Sequence, residues 1–392
     1  MKNIVKKYGV IFFLLLGPIL DVFSFYENPF NIICRTIFLI SIILYLLFNK
    51  KDYKYLLPLL IFSIIMFFYQ YIYLNINLIG VCSNILKFLY LPMGMLFFKN
   101  YDLEIPKEQV LTIIIFTYLI IYYFSYFTGL GANAYLETDG KSGFKGLFSS
   151  INEFSAILVC LIPVVFTYLN NKRKYITLVL LIFLITGCSL LIGTKVLLGG
   201  LIFGVGYLLF QERKRLFFDR SLKSKIVILI FIVGVIISGC YLFTKTRTYK
   251  NMLVQNDFFK VEKVLSLEYL NKVIYNDRFS FAGTNFKYFG RQGIVKQLFG
   301  IGIQDTNVKM IEIDFLDIII RYGIVGFLVF TISSILIISK CKVQGSNLLS
   351  LILLVIISLT SGHVLFYPAV SIYFGVLLER RLVKNENRVS YS

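Results

Sequence analysis

Long apolar runs with few charges recur along this 392-residue chain, and they limit what it can fold into. A run of roughly 18 residues or more can cross the hydrocarbon core of a bilayer as an α-helix. The runs are continuous and do not alternate in short segments, which excludes an outer-membrane β-barrel. The sequence therefore predicts an all-α, polytopic membrane protein with about twelve transmembrane helices. The predicted spans are roughly 8–25, 31–48, 55–74, 77–98, 108–128, 152–170, 175–192, 194–210, 224–243, 318–339, 346–360 and 362–379.

Composition favours one membrane domain over several soluble ones. The chain is 58% hydrophobic and only 16% charged, which does not fit a soluble surface. We expect a single integral membrane domain over residues 1–392, with residues 244–310 forming a long extracytoplasmic loop or lid within it. The first apolar run carries Asp21 and lacks a small-residue cleavage site, so we interpret it as a retained helix and not a signal peptide.

Lysine and arginine collect on one side of the predicted bundle. The net charge is +19, and 23 of the 40 Lys and Arg residues fall at the termini and in alternate loops. The positive-inside rule then makes both termini cytoplasmic in the cell membrane. It leaves 244–310 outside, because long loops are translocated largely regardless of their charge. The basic excess thus orients the helices, and we expect no nucleic-acid partner.

The residues that hold metals or cofactors are scarce. The chain has one histidine, and its six cysteines are scattered without a C-x-x-C pair. Structural and catalytic metal sites need such ligands in clusters. The sequence therefore predicts neither a metal site nor a cofactor.

Several charged residues fall inside or at the ends of apolar spans, where each costs at least a few kcal/mol near the bilayer centre. All of them lie toward the predicted outer face, which indicates a site that opens outward. The alternative is that helix-end charges only snorkel to the interface. The residues are Asp21, Arg35, Lys87, Glu153, Lys195 and His363, with Asp314, Asp317 and Arg321 leading into the tenth span.

The 244–310 loop holds eleven basic residues against five acidic ones, interleaved with aromatics. This mixture predicts a lid that binds an anion and touches a sugar or lipid surface. Arg278 and Arg291 stand out, because a guanidinium fork can hold a pyrophosphate bidentately. The alternative is an amphipathic segment lying on anionic headgroups.

The segment that follows concentrates carboxylates before an apolar span. On a helix Asp314, Asp317 and Arg321 share one face, and the last two form an i,i+4 pair that can be a structural salt bridge. Glu312 points elsewhere. In a partly dry setting Glu312 or Asp314 can have a raised pKa and act as a general base.

Weaker candidates lie at helix entries. Asn152 and Glu153 begin the sixth span, where helix capping accounts for them equally well. Lys195 ends a very short Gly193-Thr194-Lys195 turn, which packing explains less easily. His363 at the last span is more typical of a hydrogen-bonded helix-end residue than of a catalyst.

Four segments form an ordered series. They are Gly146-Leu147-Phe148 with Asn152, Phe154 and Ala156, then Ile192-Gly193-Thr194-Lys195, then Arg278 with Gly300-Ile301-Gly302, then Gly323-Ile324-Val325-Gly326. In this order they are similar to the helix entry, the T-G-S-R-T turn, the loop arginine with its G-x-G, and the G-x-x-G of the O-antigen polymerase and O-antigen ligase-like membrane proteins. Lys195 stands where arginine is usual. The resemblance covers about residues 146–326 and the helical layout.

This resemblance implies a metal-independent, multi-pass glycosyltransferase of the cell envelope that acts on the outer face. Its substrate would be an oligosaccharide repeat on undecaprenyl pyrophosphate, for a capsule, exopolysaccharide or O-antigen. A flippase and a chain-length regulator would be its partner proteins. The ligase branch carries a histidine after the G-x-G, whereas residues 303–322 contain none. That departure favours a repeat-unit polymerase.

The resemblance and the charge chemistry together assign roles. Arg278 and Lys195, with Arg291 as a third, would bind the pyrophosphate, because positioned cations stabilise a leaving phosphate. Glu312 or Asp314 would deprotonate the acceptor hydroxyl, and Asn152, Glu153, Asp317 and His363 would support the site. The alternatives are a flippase of lipid-linked oligosaccharide, which also needs buried charges in a helical bundle, and a ligase-like transferase to another acceptor.

Overall fold

The computed structural model describes residues 2–49, 52–103, 105–134, 143–213, 278–302, 311–362 and 364–379, and three isolated residues. This part of the chain is a helical bundle with one two-stranded sheet, β1 (Ala132–Asn133) and β2 (Phe144–Gly146). The helices are α1 Lys2–Phe25, α2 Phe30–Phe48, α3 Tyr53–Phe68 with a π-helical turn Tyr69–Tyr73, α4 Leu78–Asn100, α5 Lys107–Thr128, α6 Ile151–Asn171, α7 Tyr175–Ile192, α8 Lys195–Gln211, α9 Arg278–Gly290, α10 Ile294–Phe299, α11 Asp314–Ser339, α12 Gly345–Thr360 and α13 Pro368–Leu377.

Eight of these helices are long and apolar enough to cross a membrane. They are α1 to α7, with α3 counted together with its π-turn, and α11; the apolar helices α8, α12 and α13 are shorter. A multi-pass membrane protein is thereby confirmed. Eleven of the predicted spans correspond to helices, and the remaining one, 224–243, lies outside the described residues.

Two helices form the centre of the bundle. In an 18-residue stretch of each helix, 78% of α4 and 72% of α6 are buried, against 28% of α1 and of α2. α13 packs on α4, and α8 packs on α6 where Gly200 and Gly204 meet Val159 and Ile162. The short α8 thus uses the small-x-x-x-small contact that its glycines predict.

The structure departs from the predicted boundaries near the end of the chain. α13 begins at Pro368 and not at residue 362, because a proline fits the first helical position, where no hydrogen bond from its nitrogen is needed. Residues 361–362 and 364–367 are therefore not helical, and they connect α12 to α13. Within the predicted 244–310 loop, residues 278–290 and 294–299 are helical.

A kink in α11 explains two of the glycine motifs. Gly323 has φ 73° and ψ 179°, so the helix breaks there, and a Cβ at this position would lie 2.2 Å from the Leu298 carbonyl oxygen. The break leaves the carbonyls of residues 320 and 321 to accept N–H groups from Ile301, at 3.0 Å, and Gly302, at 3.2 Å. The G-x-G segment and the start of the G-x-x-G segment therefore pack against each other through their backbones.

Candidate active site

The segment that runs from Thr360, the last residue of α12, to Tyr367 is here called the 360–367 connection, and side chains from three other helices hold it. A guanidinium nitrogen of Arg278, at the start of α9, donates to the Thr360 carbonyl. Nδ2 of Asn152, in the first turn of α6, donates to the Ser361 carbonyl at 3.3 Å. These contacts bring the beginnings of α6 and α9 to the end of α12.

Asp314 fixes the other half of the connection. One of its carboxylate oxygens accepts the backbone N–H groups of Val364, at 2.8 Å, and Leu365, at 2.9 Å. The Asp314 side chain is buried, with 1% of the residue exposed. Such hydrogen bonds occupy the carboxylate with backbone donors. Asp314 therefore acts here as a support for the backbone of the 360–367 connection.

Arg278 also forms an ion pair with Glu312. Its Nη2 lies 2.6 Å and its Nε 3.3 Å from the same oxygen, Oε2, of Glu312. The two side chains differ in exposure, at 9% for Arg278 and 37% for Glu312. A charge-assisted pair of this kind is strong, yet the open side of Glu312 can still meet a substrate.

The backbone at Glu312 is held in an uncommon conformation. Its φ is 62°, and its N–H donates to one carboxylate oxygen of Asp317 at 2.9 Å. The other oxygen of Asp317 accepts the N–H of Ile311 at 3.0 Å, so this carboxylate fixes the loop that carries Glu312. A left-handed residue with a side chain costs about 1 kcal/mol or more and is concentrated at functional sites.

A small hydrophobic cluster sets the position of α9 relative to Glu312. Its six buried members are Ala282, Phe289, Ile301, Ile311, Ile313 and Ile320. They join α9, the G-x-G segment, the residues that lead into α11 and its first turns, and they form a cluster separate from the larger core. Arg278 thus reaches Glu312 because apolar residues on both sides of the pair pack together.

Lys195 lines a cleft that ends at the 360–367 connection. The cleft has a volume of about 270 Å³ and lies between α6, α8 and α12, with Thr360 and Ser361 among its lining residues. Apolar side chains such as Val159, Phe203 and Leu353 make up most of the remaining wall. Lys195 is half-buried at the start of α8. The cleft lined by Lys195 therefore reaches Thr360, whose carbonyl accepts a hydrogen bond from Arg278.

Other predicted residues lie elsewhere or play a local part. Arg291 is exposed in the turn after α9, roughly 20 Å along the helix from Arg278. The backbone N–H of Glu153 donates to the Ser150 hydroxyl at 3.4 Å, so Ser150 is the residue that caps α6. His363 lies outside the described residues.

Sequence reasoning missed the backbone of the 360–367 connection, although it links most of the candidate residues. The carbonyls of residues 360 and 361 and the N–H groups of residues 364 and 365 carry no side-chain pattern. The signal that could have located them is Gly362 followed by Pro368, which together interrupt the last apolar run.

A search of curated proteins found no match to this chain. A family model described as O-antigen ligase like membrane protein matches residues 2–264 and 255–387. The two matched ranges together cover nearly the whole chain, including every residue of the candidate site. The chain therefore belongs to the O-antigen ligase like membrane protein family.

Proposed function

We propose that this protein polymerises lipid-linked oligosaccharide repeat units, moving the growing glycan from undecaprenyl pyrophosphate to the next lipid-linked repeat. Its family indicates a membrane enzyme that transfers glycans and uses lipid-linked oligosaccharide. The observation that carries the finer proposal is the Arg278–Glu312 pair, which stands at the 360–367 connection beside the cleft lined by Lys195. Cations and an accessible carboxylate at one place are what this transfer requires.

In the proposed reaction the bond between the sugar anomeric carbon and the pyrophosphate oxygen breaks, and the electron pair stays on the pyrophosphate. An acceptor hydroxyl forms the new bond to the same carbon and gives up its proton. The charge that develops on the leaving oxygen needs fixed positive groups in a site with little water. Arg278, which donates to the Thr360 carbonyl, and Lys195, which lines the cleft that reaches Thr360, supply those charges.

We assign the proton acceptor to Glu312 in preference to Asp314. Glu312 is the more exposed carboxylate, whereas Asp314 is buried against the backbone N–H groups that it accepts. As the pyrophosphate takes over Arg278, the Glu312 carboxylate loses hydrogen bonds that stabilise its charged form. The freed carboxylate can then accept the proton of the acceptor hydroxyl.

Two features of the sequence favour a polymerase that acts on the outer face. Residues 303–322 contain no histidine, which the ligase branch carries in this region. The clustering of Lys and Arg at the termini and in alternate loops supports cytoplasmic termini, and therefore a candidate site on the opposite side of the membrane. Arg291, which lies away from Arg278, is left as a contact for a longer glycan or for headgroups.

The test is to incubate the purified protein with lipid-linked repeat units in detergent or liposomes. The proposal predicts a ladder of products that differ by one repeat, together with release of undecaprenyl pyrophosphate. A single transfer to a different acceptor would identify a ligase-like enzyme. Movement of the substrate across the bilayer without any extension would identify a flippase, and either result would overturn the polymerase proposal.

A further inference from the structure

A groove between α1 and α2, here called the α1–α2 groove, lies at the end of the bundle opposite to the candidate active site. It has a volume of about 420 Å³, and its lining residues fall within 9–16 on α1 and 34–45 on α2, with Tyr101 after α4 among them. Nearby, the backbone N–H of Leu103 donates to the Glu379 carboxylate at 2.8 Å. Glu379 follows the end of α13, whereas the 360–367 connection precedes its start. The groove and the candidate active site are therefore separate.

Aromatic rings form the buried wall of the groove. The rings of Phe13 and Phe38 stack with their centres 3.7 Å apart. The ring of Phe97 meets those of Phe38 and Tyr45 edge-on, with centres 6.4 Å and 5.1 Å apart. It also stacks on the Tyr101 ring at 4.7 Å. Five rings from α1, α2 and the end of α4 thus make one continuous apolar surface.

Two hydroxyl groups among the lining residues are already hydrogen-bonded to the backbone. Oγ of Ser41 donates to the Ile37 carbonyl at 2.8 Å, within α2. The hydroxyl of Tyr45 donates to the carbonyl of Asn100 at 3.4 Å. Most of the other lining residues are apolar. A space of this kind stays dry in water and favours a hydrocarbon ligand.

The groove opens toward the hydrocarbon of the bilayer. Phe12 and Ile37, on its two rims, are 66% and 59% exposed. A Cβ at Gly9 would have no atom of a described residue within 4 Å. Because α1 and α2 are both long and apolar enough to span a membrane, these rims meet lipid chains.

The groove has the dimensions of a single lipid chain. Residues 34–45 cover about 16 Å of α2, which is close to half of the roughly 30 Å hydrocarbon core. Dividing 420 Å³ by this length gives a mean cross-section of about 26 Å². A helix with its side chains is about 10–12 Å across and needs several times that area. An acyl chain of one leaflet therefore fits, whereas a further helix does not.

The chain segments at this end of the bundle carry a positive excess. Residues 1–7, 49–54, 99–108 and 379–381 hold ten Lys and Arg residues against five Asp and Glu residues. They adjoin one another, because Asp52 pairs with Lys99 and Leu103 bonds to Glu379. The positive-inside rule predicts that this end is cytoplasmic. Such an excess attracts the anionic headgroups of the cytoplasmic leaflet.

We infer that the α1–α2 groove binds an acyl chain of an anionic phospholipid, whose phosphate headgroup lies at the basic end of the bundle. The chain completes the packing between α1 and α2, and the headgroup answers the charge of the adjoining segments. This lipid site is distinct from the site of glycan transfer. The inference therefore stands whether or not the proposed function is correct.

The experiment uses the fact that the chain contains no tryptophan, so that one introduced tryptophan reports on the lipid beside it. Phe12→Trp places this probe on the rim of the groove. The matched control is Phe183→Trp, which replaces another exposed phenylalanine, on α7 near the basic residues 172–174. The full-length variants are reconstituted in phosphatidylcholine vesicles that contain increasing fractions of brominated phosphatidylglycerol or brominated phosphatidylcholine. Both brominated lipids quench tryptophan fluorescence on contact.

We expect brominated phosphatidylglycerol to be preferred over brominated phosphatidylcholine about fivefold more strongly at Phe12→Trp than at Phe183→Trp. This is the gain from about one lysine near an anionic headgroup. Gly9→Leu fills the groove, and in the Phe12→Trp background it should lower the preference to the Phe183→Trp value without lowering the Tm. Ser41→Leu fills the groove from the opposite wall and repeats this test if Gly9→Leu is unstable.

Three results would overturn the inference. The first is an equal preference at the two tryptophan positions, or a preference at Phe12→Trp that both groove-filling variants leave unchanged. The second is the absence of quenching at Phe12→Trp by either lipid, which would show that protein covers the groove. The third is relief of quenching by added undecaprenyl phosphate and not by unbrominated phosphatidylglycerol, which would identify an isoprenoid chain as the occupant.

Discussion

Two arginine–carboxylate pairs in this protein have the same chemistry but different surroundings. Arg35 on α2 pairs with Asp21 on α1, and the second oxygen of Asp21 accepts the hydroxyl of Tyr118. Both charged side chains are at most 10% exposed. The cavity beside them measures about 10 Å³, about the minimum for one water molecule. This pair is closed, and it ties α1, α2 and α5 together.

The Arg278–Glu312 pair is open on its carboxylate side. Glu312 is 37% exposed, and the cleft of about 270 Å³ is lined in part by Thr360, whose carbonyl accepts a hydrogen bond from Arg278. The sequence pattern groups Asp21 and Arg35 with an outward-facing site, but the structure places them in a closed core contact. The comparison teaches that the exposure of the carboxylate distinguishes a structural ion pair from a pair whose arginine can exchange the carboxylate for a substrate.

Replacing the open arginine should have the largest effect on activity. Arg278→Gln removes the charge that stabilises the leaving pyrophosphate, so chain extension should fall by about 10²- to 10³-fold. The protein should still reach the membrane and unfold near the wild-type temperature. The readout is the product ladder from purified lipid-linked repeats, with Lys287→Gln on the same helix as the matched control. Near-normal chain lengths in Arg278→Gln would remove the assignment.

Replacing Glu312 and Asp314 in turn should distinguish the general base from the carboxylate that supports the 360–367 connection. Glu312→Gln should lower turnover by roughly 10²-fold, the lower end for general base catalysis, because the pyrophosphate carries most of the developing charge. Asp314→Asn should act mainly by loosening the 360–367 connection, which lowers the Tm along with activity. Initial rates and Tm of both variants are to be measured together. Full activity in both would end the carboxylate proposal.

Breaking the closed pair should affect stability and leave the chemistry intact. Asp21→Asn leaves the buried Arg35 without its counter-charge, at a cost of about 3–5 kcal/mol. The double variant Asp21→Leu/Arg35→Leu removes both charges and should recover much of that loss. Thermal unfolding in detergent measures this, and turnover per folded molecule should stay near the wild-type value. A selective loss of turnover without a fall in Tm would show that the pair is part of the site.

A third ion pair joins the residue before α3 to the last turn of α4. Removing this pair should have the smallest effect on stability. Lys99 Nζ lies 2.7 Å from Asp52. Burial opposes the charge on Asp52, but hydrogen bonds from Asn100 and Lys99 outweigh it and lower the pKa of this carboxyl. The ionised Asp52 therefore stabilises the folded state above about pH 4, and this stabilisation is lost as the pH falls through the lowered pKa. The Tm difference between the wild type and Asp52→Asn should be small at pH 6 and should vanish once the pH falls below the lowered pKa of Asp52; a constant difference would contradict the account.

Much of the fold could be predicted from the sequence, because membrane helices are defined by composition and length. The described helices α1 to α8 begin and end within a few residues of the predicted spans, except that α1 begins at Lys2 and not at residue 8. Family membership was likewise predicted from the order of four short motifs and is confirmed by the family match. Arg278 and Glu312 were both named as candidates, although nothing local indicated that they would pair over 34 residues.

The rest of the site depends on contacts that leave no pattern in the sequence. Helical periodicity places Asp317 and Arg321 on one face, and the structure shows both carboxylate oxygens of Asp317 accepting N–H groups of residues 311 and 312. A first-turn carboxylate can satisfy unpaired N–H groups nearby, and periodicity does not report this. The kink at Gly323 and the connection after Thr360 similarly depend on distant backbone partners.

The most direct test of the central claim measures chain extension per folded molecule for Arg278→Gln and Arg35→Gln in one assay with purified lipid-linked repeats. The account predicts that Arg278→Gln stays folded and loses turnover by about 10²- to 10³-fold, whereas Arg35→Gln loses stability and keeps turnover in the fraction that remains folded. Wild-type turnover in folded Arg278→Gln would contradict the claim that the open pair is the site of glycan transfer.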